Sequence, residues 1–483
     1  MNSATHVQRW PESTVRLSVL FLAALAGGCL AAITGLPFLY AVIVLGTLVV
    51  FAAIVSGTPT LMMGPALWLL GLFPFSWGIQ TGVVPKLFGD EVVLLLYLAA
   101  APLLYIFKKR TWRPSFNNFI LVLALFLFAE SLSLVLVGHD LIATRNYLET
   151  FVLGPLLAIF FVQEAANADS ESIATAIVWL TVIIAGLTII ERIVQRNPVM
   201  EHVTNITYLS PQLAQLTNGV YRPYVSFFHP SETGAFMALG VPFAIRNAKQ
   251  KRAGLSAALL VVIAGGLFFN ATRGVWVGVA VACLLLMPNA LLFLAGVVPA
   301  VFLAGTIGYL FLKDTPYMQR LTDANNLFSR FESWKLALRV FGDHPLLGVG
   351  HMQFEQVYLS YVQDLSNAAH FDIAKVYVVD NMYLTVLVEH GLVGLLALIG
   401  LFAYAIFGMR RMRGRLIAQG RNESASLMRA AELALVIYAI TGCFADLDLF
   451  TKATKFVFIL MALGYAANAS GEHSTREIAA PRP

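Results

Sequence analysis

The stretch GLSAALLVVIAGGLFFNATRGVWVGVAVACLLLMP, residues 254–288, decides the fold of this chain. Two apolar runs, 254–270 and 274–288, flank one charged residue, Arg273. Runs of this kind are typical of membrane-crossing helices. A guanidinium at a membrane boundary is unfavourable unless it has a partner or faces water. Its planar fork is also the side chain best suited to phosphate, so the stretch predicts membrane helices joined at an anion-binding arginine.

The composition extends this interpretation to the whole chain. Of the 483 residues, 58% are hydrophobic and only 12% are charged, and the mean hydropathy is +0.76. Soluble domains carry about 25% charged residues. The apolar runs lack the alternation of a membrane β-barrel and therefore predict helices. The dispersed cysteines fit neither a disulfide framework nor a zinc spacing.

The pattern of apolar runs predicts an all-α integral membrane protein, a polytopic bundle of about 12 to 14 transmembrane helices. We treat residues 1–483 as a single polytopic membrane domain. The predicted spans are 17–34, 38–56, 60–76, 91–107, 116–137, 147–163, 173–191, 231–246, 254–270, 274–288, 290–312, 381–407, 431–446 and 453–468.

Basic residues predict the orientation of these spans. Dense clusters of Lys and Arg at 9–16, 108–113, 246–252 and 410–429 fall on one side of the membrane if the N-terminus is on that side. Such clusters mark the cytoplasmic side, which also accounts for a sequence pI near 9.0 without nucleic-acid binding. The polar C-terminal tail, 470–483, is expected to be disordered and cytoplasmic.

Two segments on the opposite side interrupt the apolar pattern. They cover 192–230 and 313–380, and neither is long enough to be an ordinary independent domain. We therefore expect both to pack on the membrane bundle and to cover a cavity. Within the larger segment, apolar residues recur at helical spacing over 325–342, which predicts an amphipathic helix.

Four segments resemble motifs of the O-antigen ligase and polymerase superfamily of bacterial glycan enzymes. In RFESWKLALRVFGDHPLLGVGHMQFEQ, residues 330–356, an Arg and a Trp precede a His-Pro-Leu-x-Gly-x-Gly turn. VVDNMYLTVLVEHGLVG at 378–394, YRPYVSFFHPSETGAF at 221–236 and NATRGVWVG at 270–278 are similar to three further family segments. The resemblance covers about residues 220–395, and the four motifs stand in the family's order.

The resemblance implies a glycosyltransferase of the bacterial inner membrane with a GT-C-like bundle. Such an enzyme transfers a glycan from an undecaprenyl diphosphate carrier to a hydroxyl of a growing glycan acceptor, on the periplasmic face. The resemblance also implies a large periplasmic loop that contains amphipathic helices. The expected partners are the lipid bilayer and a chain-length regulator protein. The resemblance implies no nucleic acid and no cofactor. It also implies no metal ion, because arginines take the role that Mg²⁺ plays in metal-dependent transferases.

The resemblance also assigns residues to this chemistry. Arg222 and Arg273 match the family's arginine positions and are expected to stabilise the diphosphate as it leaves. Asp380 is the expected catalytic base for the acceptor hydroxyl, with His370 and His344 as alternatives. Further candidate contacts to diphosphate or glycan are Arg145, Arg330, Trp334, His344 and Asn381. The ligase branch commonly has a His where this chain has Asp380, which favours the polymerase branch.

Several of these residues also have simpler structural interpretations. Arg145 is spaced to pair with Glu149, Asp380 to act as the N-cap of the next helix, and His344 to form a turn before Pro345. Arg273 also fits an interfacial anchor, and Trp334 a packing residue.

Two further polar features have structural interpretations. Gly348 and Gly350 are expected to serve loop geometry rather than to cradle phosphate, because no phosphate-loop pattern follows them. Asp446 and Asp448, with Lys452 and Lys455 nearby, are expected to form a solvated ion-pair cluster rather than a metal site.

Three functions remain in view. The first is a polymerase of lipid-linked repeat units. The second is an O-antigen ligase or protein oligosaccharyltransferase of the same superfamily. The third is a transporter or flippase of the lipid-linked glycan, which would predict internal repeat symmetry that the chain does not show clearly.

Overall fold

A computed structural model describes the chain at scattered positions of 67–98 and over 113–137, 141–197, 221–227, 229–250, 253–286, 325–363, 379–447 and 451–469. The predicted spans 17–34, 38–56 and 290–312 lie outside the described residues, as do the tail 470–483 and most of the segment 192–230.

Helices account for nearly all of the described residues. In chain order they are α1 (Asn117–Leu136), α2 (Leu141–Tyr147), α3 (Leu153–Ala165), α4 (Ser170–Val194), α5 (Pro230–Gln250), α6 (Ala253–Asn270), α7 (Arg273–Leu286), α8 (Asn325–Asp343), α9 (Phe354–Gln363), α10 (Met382–Ala418), α11 (Asn422–Thr441) and α12 (Thr451–Ala466). A 3₁₀ turn, Pro114–Phe116, precedes α1, and a π-helical turn, Leu148–Val152, joins α2 to α3. Two short strands, β1 (Gly78–Ile79) and β2 (Leu87–Phe88), form an antiparallel pair.

Five of these helical segments are long and apolar enough to cross a membrane: Pro114–Leu136, Ala143–Ala165, Ser170–Val194, Met382–Ala418 and Asn422–Thr441. Large apolar side chains on their outer faces are exposed, such as Phe128 on α1 and Phe407 on α10, each 65% exposed. Exposed apolar faces of this size are expected where lipid replaces water around a helix. The prediction of an all-α polytopic membrane protein is confirmed.

The centre of the bundle is α12. Every residue from Lys452 to Ala466 is buried, as expected for a helix that is surrounded by other helices on all sides. Helix α3 approaches it closely at Gly154, where an added Cβ would lie 2.6 Å from the ring of Phe458. The phenyl ring of Phe236 on α5 stacks on Phe456 from another side, with ring centroids 4.3 Å apart.

The boundaries of α11 differ from the prediction. The sequence predicts a span at 431–446, whereas the helix begins at Asn422 and ends at Thr441. Glu432 is fully buried within it and accepts hydrogen bonds from Arg410 Nε at 2.6 Å and from Arg429 at 2.8 Å. The sequence places Glu432 at the start of the predicted span. It lies inside α11 instead, because the arginines compensate the charge of its carboxylate.

The amphipathic helix predicted over 325–342 is confirmed as α8, and it packs on α10. The contact is made by a hydrophobic cluster separate from the main core, which includes Leu336, Val340 and Phe354 from the loop and Val388 from α10. The large loop is therefore attached to the bundle, as its length predicts, through its own small core.

A break in α10 receives the turn that follows α8. Gly391 has φ 67° and ψ −166°, so the helical hydrogen-bond ladder is interrupted there. The carbonyls of Val388 and Glu389 accept instead from Val349 N and Gly350 N, at 2.9 and 3.0 Å. Leu392 N donates to Pro345 O at 2.9 Å. The backbone groups that the break leaves without intrahelical partners are thus satisfied by the turn.

The glycines of this turn are required by its geometry. Gly348 has φ +71°, and an added Cβ would lie 2.3 Å from Val388 O. An added Cβ at Gly391 would lie 2.2 Å from Leu346 O. Both neighbours are backbone atoms that cannot rotate away. Gly348 and Gly391 therefore allow two backbones to touch, and for Gly348 this agrees with the predicted role in loop geometry.

We expect Gly348→Ala to lower the melting temperature of the detergent-solubilised protein strongly, because the turn must leave α10 to make room for the methyl group. Gly420→Ala is the matched control, since Gly420 has φ +72° with nothing within 4 Å of its added Cβ. The control bears only the left-handed backbone penalty of about 1–2 kcal/mol. Equal shifts in melting temperature for the two variants would contradict the docking of the turn.

Candidate active site

Asp380 stands immediately before α10 in a left-handed backbone conformation, with φ +52°. Asp and Asn are among the few residues that adopt this conformation readily. Asn381, not Asp380, is the N-cap: its side-chain oxygen accepts from Tyr383 N at 3.0 Å and Leu384 N at 3.2 Å. The interpretation of Asp380 as the cap is therefore wrong, because the residue that follows it already satisfies the helix end.

Helix α8 supplies two contacts to the start of α10. Arg330 Nε lies 3.3 Å from Asp380 Oδ2. One turn later, Trp334 Nε1 donates a hydrogen bond of 2.9 Å to the carbonyl of Val379, the residue before Asp380. Arg330 and Trp334 of the motif at 330–356 thus contact Asp380 and Val379, two consecutive residues of the motif at 378–394. This makes Trp334 a positioning residue in the structure, while a contact to glycan stays a prediction.

Arg222 reaches the same region from the segment before α5. It is buried and donates to Thr272 Oγ1 at 2.9 Å and to Ser231 Oγ at 3.4 Å. Thr272 donates in turn to Asn270 Oδ1 at 2.6 Å, and the amide of Asn270 donates to the Pro230 carbonyl at 2.8 Å. This chain of hydrogen bonds fixes Arg222 against the turn between α6 and α7.

Arg273 is the first residue of α7 and is half-buried. Arg273 directly follows Thr272 in the chain, and the hydroxyl of Thr272 accepts a hydrogen bond from Arg222. Thr272 therefore connects the two arginines. The N-terminus of a helix carries partial positive charge from its unpaired N–H groups. Two arginines and a helix N-terminus on one turn form a region suited to an anion.

The carboxylate of Asp380 is accessible, with 42% of its side-chain surface exposed, although the surroundings are crowded. Burial among these surroundings raises the pKa of Asp380 above its usual value, and the positive charges of Arg330 and Arg222 counteract part of this rise. An accessible carboxylate whose proton affinity is raised is suited to accept a proton from a hydroxyl group.

Arg145 belongs to a different polar network. Its guanidinium lies 3.4 Å from Glu149 Oε2, so the predicted pair between these residues is confirmed. Glu149 also lies 3.3 Å from Lys455 Nζ. Arg145 thus shares its carboxylate with a buried lysine of α12, and a contact to the diphosphate stays a prediction.

The candidate histidines separate into two cases. His344 is exposed at the end of α8, and its carbonyl accepts from Gly348 N at 3.1 Å, which agrees with a turn residue. His370 lies outside the described residues. His344 follows the end of α8 that lies away from Arg330, the residue of this helix that contacts Asp380.

Sequence reasoning missed a buried cluster beneath the turn. His351 and His390 are buried, with His351 Nδ1 3.2 Å from His390 Nε2. Two buried carboxylates, Glu130 and Glu389, adjoin them. The available signal was Glu130, an acid in the middle of the predicted span 116–137, because intramembrane acids are functional candidates by default.

The prediction of a solvated ion-pair cluster is wrong for Asp446, Lys452 and Lys455, whereas Asp448 lies outside the described residues. Lys452 and Lys455 are fully buried and Asp446 is nearly so. Lys452 Nζ donates to Ser226 O at 2.9 Å and lies 5.1 Å from the ring centroid of Phe227. Short-range sequence neighbours suggested solvent, but the partners come from distant helices that the local sequence does not reveal.

We expect Asn381→Ala to lower the stability of the protein by about 1 kcal/mol, the usual effect of losing an N-cap. Asn381→Asp keeps the accepting oxygen and loses only the bond to Cys443 O, so its effect should be smaller. Asp380→Asn should leave the melting temperature almost unchanged, because its pair with Arg330 is partly exposed. A larger loss for Asp380→Asn than for Asn381→Ala would contradict the capping assignment.

A family model described as O-antigen ligase matches residues 255–399. The matched region contains Arg273, Arg330 and Asp380, whereas Arg222 precedes it. No curated protein matches the chain significantly. The resemblance predicted from the motifs is thereby confirmed for residues 255–399, which are similar to the O-antigen ligase family.

Proposed function

We propose that this protein is a membrane glycosyltransferase that polymerises undecaprenyl-diphosphate-linked oligosaccharide repeat units. The matched family consists of enzymes that transfer glycans, which supports the reaction class. The observation that carries the proposal is the juxtaposition of Asp380 with Arg330 and Arg222, next to the turn that carries Arg273.

The arginines suit the departure of a lipid diphosphate. As the bond from the sugar C1 to the diphosphate oxygen breaks, negative charge grows on the leaving group and must be stabilised. Arg222 and Arg273 supply two positive charges around Thr272, and the N-terminus of α7 adds partial charge. In this proposal they replace Mg²⁺, and undecaprenyl diphosphate leaves as the product.

Asp380 suits the other half of the reaction. The acceptor hydroxyl attacks C1, a new C–O glycosidic bond forms, and the hydroxyl proton passes to the Asp380 carboxylate. Asp380 has a left-handed backbone and stands before Asn381, the residue that caps α10. Its carboxylate oxygens are therefore not used in capping and are available to the acceptor hydroxyl. The charge of Arg330 favours the ionised form of Asp380, and the partial exposure of Arg330 lets an incoming anion compete for it.

The distribution of charge supports a periplasmic site. Arg246 pairs with Glu171 in the first turn of α4, and Arg410, which pairs with Glu432, lies in the C-terminal part of α10, away from Asp380. Basic residues accumulate on the cytoplasmic side of membrane proteins. We therefore propose the bacterial inner membrane, with cytoplasmic termini and the candidate site on the outer face.

A ligase or protein oligosaccharyltransferase is the second candidate, favoured because the matched family is described as O-antigen ligase. It would use the same donor and leaving-group chemistry and differ in the acceptor. An aspartate rather than a histidine before Asn381 favours the polymerase. A polymerase would also have a growing chain as acceptor and a chain-length regulator as partner.

We expect the purified protein to build a glycan ladder from a lipid diphosphate-linked repeat unit, without stimulation by added Mg²⁺. Asp380→Asn and Arg273→Gln should each reduce the rate at least 100-fold, because removing a general base or a charge at a leaving group has effects of this size. Glu355→Gln and Arg339→Gln, exposed residues of the same loop, are the matched controls and should retain the wild-type rate.

Other outcomes of this assay would redirect the proposal. A single transfer that needs a core lipid or a peptide acceptor would identify a ligase. Absence of transfer to any acceptor, together with movement of the lipid-linked glycan across liposomes, would identify a transporter. A ladder that survives Asp380→Asn would contradict the role of that carboxylate.

The dependence of rate on pH tests the base separately. The rate should fall as pH drops through the raised pKa of Asp380, because the protonated carboxyl cannot accept the hydroxyl proton. Arg330→Gln removes a charge that lowers this pKa, so the acidic limb of the kcat/KM profile should move to higher pH. Arg339→Gln, on the same helix, should leave the limb in place, and a limb unmoved by Arg330→Gln would contradict the pairing.

A further inference from the structure

The buried cluster of His351, His390, Glu389 and Glu130 is not used by the proposed reaction. His351 follows the docked turn, Glu389 and His390 precede the break of α10, and Glu130 comes from the middle of α1. The rings of Tyr147 and Phe151 border His351, with centroids 5.8 and 5.5 Å away. Three distant parts of the chain thus bring four ionisable groups into one apolar surrounding.

The charges of this cluster need compensation. Glu130 is fully buried and Glu389 is 5% exposed, so water cannot solvate either carboxylate well. Neither carboxylate oxygen of Glu130 accepts a hydrogen bond from the described residues. In their ionised forms, two buried carboxylates need two positive charges nearby, which either two protonated imidazoles or one divalent cation can supply.

The donor atoms are arranged as ligands of one ion. His351 Nδ1 lies 3.2 Å from His390 Nε2 and 3.4 Å from Glu389 Oε2, and all three atoms lie within 4.8 Å of one another. For metal-to-nitrogen bonds of about 2.0–2.1 Å, the ligand atoms of a tetrahedral zinc site are about 3.3 Å apart. The two measured edges match this separation.

A second carboxylate orients one of the donors. His390 Nδ1 lies 2.9 Å from Glu130 Oε2 and 3.3 Å from the Glu130 carbonyl oxygen, so the proton on Nδ1 faces Glu130 and the lone pair on Nε2 faces the other two donors. A carboxylate behind a histidine is the usual outer partner of a metal-bound imidazole. Met352 N donates to Glu389 Oε2 at 2.8 Å and fixes the third donor.

We propose that His351 Nδ1, His390 Nε2 and Glu389 Oε2 bind one divalent transition-metal ion, Zn²⁺ being the ion that best fits two imidazoles and a carboxylate. Glu130 orients His390, and its negative charge together with that of Glu389 balances the two positive charges of the ion. The ion fastens the turn after α8 to α10, next to the glycines that let the two backbones touch. Its role is structural, and it is separate from the diphosphate region, where hard Mg²⁺ would be the alternative to arginine.

Metal binding can be measured without any assay of transfer. The full-length protein in detergent is stripped with a chelator, dialysed and titrated with Co²⁺, whose four-coordinate complexes absorb visible light, and with Zn²⁺, which is counted by elemental analysis. We expect one equivalent of either ion and a higher melting temperature for the loaded protein. His351→Asn and His390→Gln should abolish both effects, whereas His344→Asn, an exposed histidine of the same turn, should retain them.

The result in the wild-type protein decides the proposal even if a variant fails to fold. A stripped, folded wild-type protein that binds no Co²⁺ or Zn²⁺ would overturn it. A melting temperature that then falls as pH rises through the histidine range would identify two protonated imidazoles as the source of positive charge. Stoichiometric binding that persists in both His351→Asn and His390→Gln would also overturn it.

Discussion

The contact on which the site depends is the exchange of backbone hydrogen bonds between the turn 345–350 and the broken part of α10. A helix interrupted at Gly391 leaves carbonyl and N–H groups that cannot stay unpaired in an apolar bundle. The turn satisfies them, and this fastens the end of α8 to α10. Because α8 carries Arg330 and Trp334, the same docking holds those side chains against Val379 and Asp380.

The two ends of the bundle use ion pairs differently. At the end with Glu432, three arginines surround one fully buried carboxylate, and such a cluster serves the packing of α10 against α11. At the other end the carboxylate of Asp380 is accessible and its arginine partner is 25% exposed. A charge pair that substrate and water can reach is easily exchanged, which is what a transfer reaction between charged and hydroxyl groups needs.

The sequence predicts what depends on composition and local spacing. Membrane helices, the amphipathic helix α8 and the pair of Arg145 with Glu149 all follow from periodicity of the chain. The grouping of Asp380, Arg330 and Trp334 follows only from the family resemblance. What local reasoning could not find are contacts between distant residues: Glu432 inside α11, the burial of Lys452 and Lys455, and the cluster of His351 with Glu130. In each case a charge that suggests solvent is compensated from another helix.

The buried lysines of α12 have a consequence for how the protein is made. This helix has 16 residues, or about 24 Å of length, which is shorter than the hydrocarbon layer of about 30 Å. Lys452 and Lys455, in the first turns of α12, further disfavour its partition into lipid, because a buried lysine must keep its charge compensated. Their partners, Ser226 and Glu149, are synthesised more than 200 residues earlier. Helix α12 therefore enters the membrane by joining helices that have already assembled, so biogenesis of the bundle is completed by its last described segment.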